Sequence, residues 1–133
     1  MRKLKFRAWD GKEMHNNYSL SRFFGSITDN IPVMQFIGRK DKNGKDIYEG
    51  DLILLVVPMS FCTSRIQDNR FIAEVKYDGK NAGFYFSTNI DAHHCIKPWM
   101  ARDIEIIGNA YENNELTKRE CQISWLNMKS NLV

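Results

Sequence analysis

Between Gln35 and Val57 the chain reads QFIGRKDKNGKDIYEGDLILLVV, with glycines at 38, 44 and 50 and an unbroken apolar run, Leu52 to Val57, at its end. Glycine reaches positive φ at little steric cost, so a charged segment punctuated in this way turns back on itself. Asn43-Gly44 suits the centre of a type I′ turn joining antiparallel strands. Gly50-Asp51 supplies a second break. The apolar run after it fits a strand covered on both faces, and Pro58 ends it because proline offers a ladder no N–H. A hairpin that feeds a core strand commits the chain to antiparallel β architecture.

The flanking segments extend the pattern. Leu4, Phe6 and Ala8 alternate with Lys3, Lys5 and Arg7, which predicts a strand with one buried and one wet face, and Asp10-Gly11-Lys12 then turns. Residues 13–32 carry little periodicity and stay unassigned. Val33 to Ile37 reads as a short strand broken by Gly38. Phe71, Ala73, Val75 and Tyr77 alternate with Glu74 and Lys76. Asp78-Gly79 opens a loop, and GFYFST returns as the hairpin partner. Ile104, Ile106 and Ile107 form a last strand closed by Gly108. Beyond Glu112 neither Gly nor Pro occurs, and Leu116, Ile123 and Leu126 stand at helical spacing behind Asn114 as N-cap. The expectation is a mainly β domain over 1–114, an SH3-like barrel or sandwich of antiparallel hairpins, followed by a C-terminal α-helix over 115–133.

Composition narrows the function classes. The 133 residues suffice for one core without staples, and no apolar run approaches the ~20 residues of a membrane span. Cysteines 62, 95 and 121 are odd in number and far apart, which predicts free thiols in a reducing cytoplasm. The net charge of +3 comes from Arg2, Lys3, Lys5 and Arg7; residues 10–133 sum to −1. The basic character therefore belongs to one strand and falls short of a domain-wide nucleic-acid footprint.

Three islands stand in order: KLKFRAWD, QFIGRKDKNGKDIYEGDLILL and IEIIGNAYENNEL. Together they resemble the YopX family, small proteins typically encoded by phages and prophages. The matching positions include Gly38, Asn43, Gly44, Tyr48, Glu49, Gly50, Asp51, Gly108, Asn109, Tyr111 and Leu116; Asn114 stands where the family usually has proline. The resemblance implies a β-rich fold with SH3-like barrel character and the cytoplasm of a bacterial host as the location, and names no reaction.

Candidate chemistry yields to simpler readings. Asp41, Asn43, Asp46, Glu49 and Asp51 place oxygens in the central island, but an EF-hand needs glycine at its sixth position, and Gly44 is fourth from Asp41. No glycine-rich loop with Lys-Ser or Lys-Thr follows, which removes a phosphate cradle. His93, His94 and Cys95 can ligate zinc, yet neighbours in a strand face opposite ways and no C-x-x-C exists. No catalytic set and no cofactor are expected. Asn43, Gly44, Gly50, Asp51 and Gly108 are read as scaffold at turns.

The expected function is thus non-enzymatic: binding a host or phage protein, or self-association through the C-terminal helix, where Trp125 adds apolar surface. The alternative is weak nucleic-acid binding, with Lys3, Lys5 and Arg7 tracking phosphates from one strand face and Trp9 stacking a base.

Overall fold

The computed structural model describes residues 4–16, 31–57, 70–88 and 95–118. Within them lie nine strands: β1 (Phe6–Trp9), β2 (Met14–His15), β3 (Val33–Lys40), β4 (Asp46–Tyr48), β5 (Asp51–Val56), β6 (Arg70–Asp78), β7 (Gly83–Thr88), β8 (Cys95–Ile96) and β9 (Arg102–Asn109). They form two antiparallel sheets, a four-stranded one ordered β2-β1-β3-β4 and a five-stranded one ordered β8-β7-β6-β5-β9. The apolar run before Pro58 becomes β5, hydrogen-bonded to β6 on one side and β9 on the other. That central position explains why Leu52, Ile53 and Leu55 are all fully buried.

The main core combines Ile53 and Leu55 with Val75, Phe86, Ile96 and Ile104, and it takes in Ile47 from β4 of the other sheet. A smaller cluster of Met34, Phe36 and Tyr48 lies on the opposite side of the four-stranded sheet, with Trp9 and Met14 packed against it. Backbone bonds tie the sheets together: Lys42 N–H donates to Ile104 O, Gly50 N–H to Val75 O, and Ala110 N–H to Gly50 O.

The mainly β expectation holds, and its details change. The described residues contain two sheets and no α-helix, only 3₁₀ turns at Pro98–Met100 and Asn114–Thr117. The expected C-terminal α-helix does not begin at Asn114: Thr117 Oγ1 donates back to Asn114 O, and Lys118 already has extended backbone. The remainder of that segment, with Trp125, lies outside the described residues. Likewise β3 is not broken at Gly38; it runs on to Lys40 through a register irregularity between Phe36 and Lys40.

The central hairpin forms with a different turn from the one expected. Gly44 N–H donates to Asp41 O and Asp41 N–H to Lys45 O, so Lys42 and Asn43 are the central residues and Gly44 follows at φ +82°. Asn43 is not in the left-handed region. This is a type I turn with a glycine bulge, and the Asp41 carboxylate selects it by accepting the Asn43 and Lys45 N–H groups.

Gly50 is the tighter glycine. Its φ is +84°, and a Cβ there would sit 3.2 Å from Met34 Sδ and 3.3 Å from Tyr111 Cε2. Gly50→Ala is expected to lower unfolding free energy by about 1–3 kcal/mol in urea titration. Gly44→Asn, with nothing within 4 Å and a residue type that tolerates this backbone, is expected to shift it far less.

Candidate functional site

Arg7 is where the period-two reading and the structure part. It stands in β1 between Phe6 and Ala8 and is itself buried. Its Nη2 lies 2.8 Å from Asp51 Oδ1 and donates to Glu49 O at 3.1 Å, and its guanidinium sits 4.9 Å from the Tyr48 ring centroid. Asp51 Oδ2 accepts the Tyr48 N–H at 2.8 Å. Burial pushes the Asp51 carboxyl up, more than Arg7 and the Tyr48 N–H pull it down. One side chain from β1 thereby joins the first residue of β5 to the turn before it.

Asp41 makes a second internal anchor. Besides its two hairpin bonds, Oδ2 accepts the Ile106 N–H of β9 at 3.1 Å, so one carboxylate closes a turn and caps the edge of the other sheet. Burial opposes its ionised form, and the three N–H donors prevail, holding its pKa below the usual carboxylate range. At the end of β9, Asn109 Oδ1 accepts from Tyr111 and Glu112 N–H, and the Asn113 side chain packs against Gly108.

The contact residues expected from the sequence do not form one exposed row. Lys5 bonds Asp46 at 2.9 Å and lies over the Phe36 ring, Arg7 is internal, and Trp9 packs beside Tyr111 with ring centroids 5.9 Å apart. Lys3, His93, His94, Cys62 and Cys121 lie outside the described residues. The oxygens of Asp41 and Asp51 point at N–H groups or at Arg7, the opposite of a cation cage.

Besides a concavity of about 340 Å³ lined by Arg7, Lys45, Asp46, Tyr48, Asp51 and Ile106, the described residues form a cleft of about 400 Å³ where the two sheets meet. One wall is Gln35, Phe36, Ile37 and Gly38 of β3 with Glu49; the other is Tyr77, Ala82, Gly83 and Phe84 at the end of the β6–β7 hairpin. Tyr77 and Phe84 are cross-strand partners with their rings edge to face, 5.4 Å between centroids. Tyr77 is 51% exposed. Glu49 completes the edge of β3: its N–H donates to Gln35 O, and its Oε1 accepts the Gln35 N–H at 3.0 Å. Burial raises the Glu49 pKa, against the pull of that N–H. Sequence reasoning missed this cleft: it set Tyr77 in the apolar alternation with Ala73 and Val75, which are buried where Tyr77 is not, and read Glu49 only as an oxygen of the central island.

Fold and site together describe a mainly β protein of two sheets, in which Lys5, Arg7, Asp41, Asp46 and Asp51 bond within the chain and an aromatic-lined cleft lies open. The YopX protein family model matches residues 16–118, and the chain belongs to that family. Among solved structures, protein EF1440 from Enterococcus faecalis is similar at TM-score 0.55 and 27% identity, over 89% of this chain and 100% of that one. Protein yopX from Bacillus subtilis is similar in fold at TM-score 0.53 and 22% identity, over 89% of this chain and 98% of its own. A search of curated proteins finds no match. No helix among the described residues is long and apolar enough to cross a membrane.

Proposed function

We propose that this protein acts without chemistry of its own, by holding a host or phage protein in the cleft between β3 and the β6–β7 hairpin. What supports the reading is the division of labour among its side chains. Lys5, Arg7, Asp41, Asp46 and Asp51 all bond within the chain, while the Tyr77–Phe84 pair opens onto solvent beside Glu49. Exposed aromatics in a concave site are the residue type that carries binding energy at protein interfaces.

Affinity capture from bacterial host lysate, with wild type and Tyr77→Ser side by side, tests this. Tyr77 is half exposed, so serine there should leave the circular dichroism spectrum unchanged. The expected result is a protein retained by wild type and lost with Tyr77→Ser. Equal capture by both moves the site elsewhere. Capture abolished by nuclease and by salt favours the nucleic-acid alternative.

A further inference from the structure

We propose that the cleft receives one positively charged side chain of the partner, arginine in preference to lysine, with Glu49 as counter-ion and the Tyr77–Phe84 pair as stacking wall. The inference rests on the binding reading above and names the chemistry of what is bound.

Charge complementarity carries it. Glu49 is half-buried, yet among the described residues no Lys, Arg or His forms an ion pair with it. Among the described residues the one hydrogen bond to its carboxylate comes from the Gln35 N–H to Oε1. The contrast with its neighbours is direct: Asp46 has Lys5 and Asp51 has Arg7, each within 2.9 Å. A carboxylate partly removed from water and left without a cation is disfavoured, as its raised pKa reflects, and an arriving cation relieves that penalty.

The rest of the lining selects the kind of cation. Phe36, Tyr77, Phe84 and Ile37 line the same cleft as the acid, the setting in which a guanidinium stacks on a ring while bonding a carboxylate. A divalent metal would find a single carboxylate there, too few oxygens for calcium or magnesium. An anion would be repelled, and a neutral side chain would leave Glu49 uncompensated. A cleft of about 400 Å³ takes one long side chain with its flanking backbone.

The test uses three short probes, Ac-Gly-Arg-Gly-NH2, its citrulline counterpart and its lysine counterpart, followed by amide chemical shifts of the full chain. Arginine peptide is expected to shift Gln35 to Gly38, Glu49 and Ala82 to Phe84, lysine peptide less, and citrulline peptide not at all. Glu49→Gln keeps a carbonyl for the Gln35 N–H while removing the charge, and should weaken arginine binding at least about tenfold. Citrulline binding as well as arginine, unchanged affinity in Glu49→Gln, or no shifts in the cleft at millimolar peptide would each overturn the inference. Partner capture separates the two levels. Loss with Tyr77→Ser but not with Glu49→Gln defeats the arginine reading alone; capture intact in both variants defeats the cleft as well.

Discussion

Asp51→Ala is expected to lower the unfolding free energy by about 3–5 kcal/mol in urea titration, enough to unfold a marginal domain. The substitution leaves Arg7 buried without its counter-ion and takes away the acceptor of the Tyr48 N–H. Both members of the pair are nearly out of water, with side-chain exposures of 9% for Arg7 and 2% for Asp51. An orphaned charge there has little solvent to turn to, and Arg7 Nε already has no hydrogen-bond partner. Replacing both residues by apolar ones of similar size should be far milder. Arg7→Met/Asp51→Leu is expected to recover at least half of the loss, since burying two charges itself opposes folding. A double-mutant cycle measures the coupling directly, and additive single effects would show that the pair does not act as a unit.

Asp41→Asn is the second large change, expected to cost about 2–4 kcal/mol at pH 7. An amide supplies one acceptor oxygen, so either the hairpin N–H groups of Asn43 and Lys45 or the Ile106 N–H must face an NH2. The sign of its pH dependence follows from a depressed folded pKa. Its ionised form stabilises the fold above the unfolded carboxylate value of about 3.9, and that stability is lost as pH falls through the lower folded value. Asp10 and Asp78 are also lowered, while Glu49 and Asp51 are raised and oppose them. The informative quantity is therefore the difference between wild type and Asp41→Asn. That difference should stay level from pH 7 to about 5 and shrink below about 4; a constant difference down to pH 2 would show that the charge on Asp41 contributes nothing.

Local pattern made much of this fold legible. The apolar run before Pro58 announced a strand covered on both faces, and Gly44 and Gly50 announced the breaks around it. Part of what failed depended on residues distant in sequence. Arg7 alternates with apolar neighbours as a solvated cation would, and only its meeting with Asp51 and the Glu49 carbonyl takes it inside. The expected type I′ turn lost to a type I turn because the Asp41 side chain bonds Asn43 and Lys45, a local competition that composition alone does not resolve. At the start of the last segment the expected helix gives way to a 3₁₀ turn at Asn114–Thr117, where helical propensity is a weak signal. The cleft was invisible because Glu49 and Tyr77 become neighbours only when the two sheets meet.

Partner capture by folded Arg7→Met/Asp51→Leu, with circular dichroism on the same sample, tests the division between internal charges and open cleft most directly. If the motif charges serve the fold and the cleft serves binding, this variant retains the partner as wild type does. A variant with the native spectrum that no longer captures it would place the partner on Arg7 and Asp51 themselves.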